Sequence, residues 1–383
     1  MQCGHYEGRP GGAPPGPKTT VKEALAAASK GINMYAFHDA PIGLGTAAHG
    51  YAAALRPLLP VNKVSIPWDL STLTDKAITA PRHAVNLIHV NPEGLSIFLG
   101  RYGRELLPGR YNIGIWVWEL HAGYARWFAQ SHHFNEIWTP STYSANAIRP
   151  VSSAPVYVIP HVVDELPAPP AARKENPGAF VFLYIFDMAS NFERKNPLGL
   201  VRAFRKAFGN RQDVQLILKY HHSEIEPAGA NLLERLAQAA PNIRTIRETL
   251  SEDQVYGLLR SCDCFVSPHR SEGFGLNLAT AMYYGKPVIA TGYSGNMDFT
   301  TPENAFLIDY ELVNLPHQTG AYKANYGWAE PSEDHLAVLL RTVMASPDEA
   351  RRRADRGRRT IQERYSVKAV SETLRQRVTE WGV

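Results

Sequence analysis

The sequence predicts an α/β protein built from two parallel, doubly wound sheets in tandem. Three observations predict it. Short runs rich in Val, Ile, Phe and Tyr alternate with helix-length stretches, the pattern of strand and crossover helix. The runs are nearly continuous in apolar residues, as strands covered on both faces require. A stretch with four prolines and mixed charge, DELPAPPAARKENPGA at 164–179, interrupts the pattern where a linker belongs. A chain of 383 residues is long enough for two such cores.

Taken in order, residues 1–20 are rich in Gly and Pro and lack the apolar core of a signal peptide, so they predict a disordered tail. A first domain follows over 21–165. Its strands are expected at 32–37, 64–68, 86–90, 112–118, 136–140 and 156–160, with helices at 46–58 and 144–149. After a linker at 166–179, a second domain over 180–365 repeats the logic. Its strands are expected at 180–186, 214–220, 243–246, 263–268 and 286–291. Helices fit 196–208, 231–240, 251–262 and 276–285, the third opened by Ser251 and acidic residues that suit its dipole. From Ser332 onward the chain is helical and charged, and 366–382 is amphipathic along Val367, Val370, Leu374 and Val378.

Composition narrows the function classes. Hydrophobic residues make up 44% and charged residues 20%, values of an ordinary globular protein rather than a disordered or fibrous one. A net charge of +4 is too small to argue for nucleic acid. Only three cysteines occur, Cys3, Cys262 and Cys264, too few for a disulfide framework. The expectation is a reduced, cytoplasmic protein with no membrane-spanning helix.

Three loops can carry chemistry. In HRSEGFGLNLATAMYYG (269–285), a strand gives way to Glu272-Gly273-Phe274-Gly275 and then to a helix. Free N–H groups at a helix start attract anions, and glycines let a ligand approach the backbone. A carboxylate there suits a ligand with hydroxyls as well as phosphate. In NFERKNPLGL (191–200), Arg194 and Lys195 follow the first strand of the second domain, and two such cations can hold a diphosphate. Ligands of open parallel sheets sit at the carboxyl ends of the strands, where both loops belong. Lys219, ending another strand at that edge, is a weaker candidate. In PIGLGTAAHG (41–50), Gly43 and Gly45 open a helix but do not complete GxGxxG, which argues against a nicotinamide-dependent oxidoreductase, yet the loop can still face a phosphate or sugar, so both glycines join the donor-binding candidates. His132-His133 and His221-His222 lack metal-ligand spacing and further ligands, so no metal site is expected.

These motifs resemble a known family. HRSEGFGL, GKPVIAT, RKNP and the glycine-rich first loop look like a retaining glycosyltransferase of family 4 with the GT-B fold. The fuller run IGIWVWEL, NEIWTPS, VIPH, RKNP, HRSEGFGL and SGN resembles bacterial members of polysaccharide and lipopolysaccharide assembly. The resemblance implies two Rossmann-like domains facing across a cleft, the second holding a UDP- or GDP-sugar and the first a glycan or lipid-linked acceptor. The last helix, 366–383, would cross back to the first domain. It implies no cofactor and no metal. Lys195 matches the diphosphate-binding lysine, with Arg194 beside it. Glu272 matches the first glutamate of E-x7-E, and the amides of Gly273, Phe274, Gly275 and Leu276 match the sugar- and phosphate-binding loop. Asn296, in the second glycine-rich loop, joins the donor set. Glu119 would face the reacting centre, with Trp118 and His121 near the acceptor.

Two positions depart from the family pattern. The second glutamate of E-x7-E is Thr280, and a threonine replaces charge-assisted bonds to ribose with at most a neutral one. Ser190 stands where many relatives carry arginine. An alternative expectation is therefore a catalytically impaired subunit that only binds nucleotide sugars. The arginines at 351, 352, 353, 356, 358 and 359 form either a solvated helix face or a contact with anionic lipid carrying the acceptor.

Overall fold

The apolar runs of the first half become parallel strands: β1 (Ser29–Ala36), β2 (Val61–Ser65), β3 (His83–Ile88), β4 (Tyr111–Ile115), β5 (Glu136–Thr139) and β6 (Val156–Val158). They form one sheet in the order β2-β1-β3-β4-β5-β6. The computed structural model describes residues 18–381 except 41–42, 75–77, 79, 174–175, 316 and 319–321. The tail expected over 1–20 lies outside the described residues up to 17. Thr20 is ordered, closing a capping box with Glu23 at the start of α1 (Val21–Ala27). The strand expected over 112–118 stops at Ile115, and Trp116–Trp118 continue as loop.

The second half forms β7 (Phe180–Asp187), β8 (Val214–His221), β9 (Ile243–Ile246), β10 (Cys264–Ser267), β11 (Val288–Thr291) and β12 (Phe306–Ile308). This second parallel sheet runs β12-β11-β10-β7-β8-β9. An antiparallel hairpin, β13 (Tyr310–Asn314) and β14 (Gly327–Pro331), follows it without counterpart in the sequence reading. Its first strand is mostly exposed and carries too little apolar pattern to read.

Helices cover both sheets. After α1 come α2 (Gly43–Leu55), α3 (Pro92–Leu106), the single turn α4 (Ala125–Phe128) and α5 (Thr142–Ile148). The second sheet carries α6 (Phe192–Lys195), α7 (Pro197–Phe208), α8 (Pro227–Gln238), α9 (Glu252–Ser261) and α10 (Leu276–Tyr283). The chain ends in α11 (Glu333–Ala345), α12 (Pro347–Arg364) and α13 (Val367–Glu380).

Two compact units result. One holds the first sheet through Asp164, the segment Leu315–Tyr326 and the end of the chain from Arg364. The other holds Glu165–Asn314 and Gly327–Glu363, so the proline-rich stretch clusters with the second sheet. Within the first unit, Val370, Leu374 and Val378 of α13 are buried in one core with Tyr51 and Leu55 of α2 and Ile113 and Ile115 of β4. Burying such a side chain contributes about 1.5–3 kcal/mol. Arg377 fixes the helix laterally. It donates to Oε2 of fully buried Glu136 at 2.6 Å and lies 3.8 Å over the Tyr157 ring.

Candidate functional site

The strand order locates the site before any side chain is considered. In the second sheet the chain runs outward through β7, β8 and β9, then returns to place β10 on the other side of β7. Between β7 and β10 the order reverses, and ligands of open α/β sheets bind outside the carboxyl ends at such a point. The loop after β7 carries Arg194 and Lys195, and the loop after β10 carries Glu272.

Local chemistry shapes the first of these loops. Asn191 and Asn196 flank α6 with φ of 68° and 51°, conformations that asparagine tolerates better than most residues. Asn191 Oδ1 accepts from the Arg194 N–H, and Asn196 Oδ1 accepts from the Gly199 N–H ahead of Pro197. Asn196 Nδ2 also donates to the Pro268 carbonyl, at 3.1 Å, and so ties this turn to the loop after β10. Tyr184 Oη donates to the Lys195 carbonyl at 2.8 Å.

The charges meet across the switch point. Lys195 Nζ donates to Glu272 Oε1 at 2.5 Å, and Arg194 Nη1 lies 3.3 Å from Oε2. Lys195 and Glu272 are each 14% exposed, while Arg194 is 2% exposed. Burial alone would push the Glu272 carboxyl up. Lys195, Arg194 and the nearby His269 outweigh it and hold the pKa at about 2. Arg194 is turned inward: Nη1 donates to the Ser271 carbonyl at 2.7 Å and Nη2 to the Ser190 carbonyl at 2.8 Å. Arg194, expected to grip a diphosphate, is thus buried against Glu272 and its loop.

Gly275, with φ of 93°, starts α10, and no side chain caps that end. The first turn of the helix presents its N–H groups there. Leu276 starts this turn and Thr280 lies one turn on along the same face, almost fully buried. Phe274 is buried against Phe299. The Gly273 backbone is packed so closely that a Cβ on Gly295 would lie 2.2 Å from the Gly273 carbonyl oxygen. Gly295 N–H in turn donates to the Glu272 carbonyl, and the Glu272 N–H to Ser294 Oγ.

Asn296 is buried and works inside this scaffold. Its Oδ1 lies 3.0 Å from His269 Nε2, and its Nδ2 donates to the Thr291 carbonyl and Thr300 Oγ1. Lys219 is likewise buried and donates to the Tyr220 carbonyl, with desolvation lowering its pKa. Arg270, which the sequence reading passed over, donates to Glu330 through Nε and Nη2, and its guanidinium lies over the Trp328 ring, 5.4 Å from the centroid. Its backbone N–H donates to the Arg194 carbonyl at 2.7 Å. Only a paired position on β14, invisible from local sequence, reveals that role.

The first unit holds the remaining candidates. Gly43 begins α2 at the carboxyl end of β1, and a Cβ on Gly45 would meet the Ala40 carbonyl oxygen at 2.3 Å. Trp118 is buried, with its indole N–H donating to the Ala122 carbonyl. Glu119 accepts from Tyr322 Oη at 3.2 Å, and exposed His121 lies 6.4 Å from the Tyr326 ring, centroid to centroid. Both tyrosines come from the Leu315–Tyr326 segment. Sequence reasoning missed a group of histidines at the same sheet edge. His38 follows β1, His89 follows β3 and His161 follows β6. His89 is fully buried, neither ring nitrogen has a partner, and burial lowers its pKa to about 3. His161 is also held at about 3, and its Nδ1 lies 3.1 Å from Tyr51 Oη. The reversal in the first sheet falls between β1 and β3, so His38 and His89 mark its switch point.

The pair His221-His222 also differs from expectation. Asp187, the register partner of His221 across β7 and β8, supplies the further ligand that sequence spacing lacked.

Comparison with known proteins agrees with this architecture. The chain is similar to HepE from Anabaena, solved with UDP and glucose, at 14% identity over 92% of this chain and 100% of that one, with a TM-score of 0.64. It is similar to the pneumococcal O-GlcNAc transferase GtfA, solved with UDP and GlcNAc, at 15% identity over 77% of this chain and 57% of that one, with a TM-score of 0.54. The apo structure of OtsA is similar over 88% of this chain and 77% of that one, at 10% identity and a TM-score of 0.57. No curated protein sequence matches the chain. Residues 174–313, which include Lys195 and Glu272, match the family described as glycosyl transferases group 1, and the chain has the GT-B fold.

Proposed function

We propose that the chain moves a hexose-type sugar from a UDP- or GDP-sugar to a glycan or lipid-linked acceptor. Transfer retains the anomeric configuration and needs no metal in the transfer step. The observation that carries this reading is the Lys195–Glu272 pair, which bridges the switch point of the group 1 domain beside the uncapped start of α10. HepE and GtfA, which share the fold, hold UDP together with a sugar.

As the anomeric bond breaks, charge builds on the departing diphosphate. An ammonium with three donors can hold both Glu272 and a phosphate oxygen, and the α10 amides add fixed dipoles. Glu272, ionised throughout the neutral range, accepts from donor-sugar hydroxyls. Arg194 keeps that carboxylate in place. The departing phosphate takes the acceptor proton, which leaves no need for a second carboxylate. Glu119, steadied by Tyr322, and His121 are the proposed acceptor-side groups. The exposed Arg351, Arg358 and Arg359 of α12 are proposed to touch anionic lipid at the cytoplasmic face, while Arg353 and Arg356 spend donors on the Ala305 and Glu303 carbonyls.

Thr280 favours a second reading, a binding subunit with impaired turnover, because a buried hydroxyl replaces a ribose-binding carboxylate. One experiment separates the two. A thermal-shift panel of UDP-, GDP-, ADP- and dTDP-sugars identifies the donor, since a ligand of the native state raises stability. Release of nucleoside diphosphate from that donor then establishes transfer. Binding without release supports the impaired subunit, and no shift with any donor overturns both.

A further inference from the structure

The carboxyl ends of β7 and β8 carry a second cluster, outside the Lys195–Glu272 site. Asp187 ends β7, His221 ends β8, and the two are register partners. Successive side chains of a strand point to opposite faces. His222 escapes that alternation by taking φ of 56°, a conformation that costs a non-glycine residue free energy and recurs at functional sites. Both imidazoles thereby converge on one carboxylate. His222 Nδ1 lies 2.8 Å from Asp187 Oδ1, and His221 Nε2 lies 3.3 Å from Oδ2. That Nε2 is buried and makes no well-formed hydrogen bond. One ligand atom from each of the three residues lies within 4.8 Å of the others. The Ala189 N–H donates to Asp187 Oδ1 at 2.8 Å and orients the carboxylate from behind.

We propose that Asp187, His221 and His222 bind one divalent transition-metal ion of the zinc class. Two imidazoles and a carboxylate suit Zn²⁺ or Co²⁺ and select against Mg²⁺, which requires oxygen ligands. Bonds of about 2.0–2.2 Å in a tetrahedron place neighbouring ligand atoms roughly 3.3 Å apart, and the three ligand atoms already lie within 4.8 Å of one another. Three protein ligands leave a fourth position for water or an added ligand. Asp187 also opens the turn that leads to Arg194 and Lys195. The bound ion fastens the end of β8 to the start of that segment. This site is independent of the transferase reading, because metal uptake is measured without any sugar nucleotide.

The test uses the full chain, stripped of metal with a chelator and titrated with Zn²⁺, with Co²⁺ as a spectroscopic probe. His222→Gly and His221→Gln are titrated alongside. Glycine suits the positive φ at 222, so that variant removes a ligand without opposing the fold. The expected result is one equivalent of Zn²⁺ in the parent and a visible ligand-field band with Co²⁺. Each variant loses at least tenfold in affinity, and Zn²⁺ raises the melting temperature of the parent alone. A parent that takes up no Zn²⁺, unchanged affinity in either variant, or an equal response to Mg²⁺ overturns the proposal.

Discussion

At the scale of single residues, Glu272 is a mostly buried carboxylate held by two cations, Lys195 and Arg194. Its carboxyl is held at about 2 against an ordinary 4.5, despite burial that opposes ionisation. A depressed carboxylate contributes stability that is present above the unfolded value and lost as pH falls through the folded one. Glu272→Gln is therefore expected to destabilise the chain by about 3 kcal/mol at pH 7, since it removes the carboxylate that buried Arg194 and Lys195 face. The deficit shrinks as pH drops from about 4.5 towards 2, which denaturant titrations at several pH values read directly. An equal deficit at pH 7 and pH 3 contradicts the pairing. Lys195→Ala is expected to lower turnover at least a hundredfold, the loss typical of one transition-state donor. Lys195 and Glu272 were legible in the sequence because Gly and Pro punctuate their loops between strand and helix. The inward turn of Arg194 was not, because burial depends on the carbonyls of Ser271 and Ser190. Asp187 escaped for the same reason, since only register across two strands pairs it with His221.

At the scale of elements, the two loops after β10 and β11 fit backbone against backbone. Gly295→Ala is expected to displace the Gly273–Phe274 backbone of the loop after β10, which is proposed to hold the donor, because its Cβ would lie 2.2 Å from a carbonyl oxygen that cannot swing aside. Donor affinity should fall more than overall stability, and calorimetric titration beside thermal melting distinguishes the two. Arg377→Ala is expected to cost about 3–5 kcal/mol in the first unit, since it strands fully buried Glu136 without its cation. Replacement of both residues by apolar ones should recover much of that loss, and a double-mutant cycle measures it. The apolar face of α13 was legible because Val370, Leu374 and Val378 repeat at helical spacing. The hairpin β13–β14 was not, and neither was the segment between its strands, whose Tyr322 and Tyr326 reach loop 118–124 from about two hundred residues away.

At the scale of the whole molecule, each sheet has a reversal in strand order, and the side chains beside the two reversals differ in electrostatic character. The second unit gathers paired charges. The first gathers buried, neutral histidines. His89 and His161 are held at about 3 against an ordinary 6.5, with burial as the largest cause. Between those values the unfolded chain binds more protons than the native one, so stability falls as pH drops from 6.5 towards 3. His89→Leu should flatten that slope in urea titrations, and an unchanged slope contradicts burial of a neutral ring. The fold class was legible because strand runs and helices alternate along nearly the whole chain. The function rests on fewer residues, and one binding measurement addresses them most directly. The nucleoside diphosphate of the donor that the thermal-shift panel selects is titrated into the parent chain and into Lys195→Ala by calorimetry. The account predicts binding by the parent that weakens at least tenfold in the variant. Equal affinity in the two proteins contradicts the assignment of the Lys195–Glu272 crossing as the donor site.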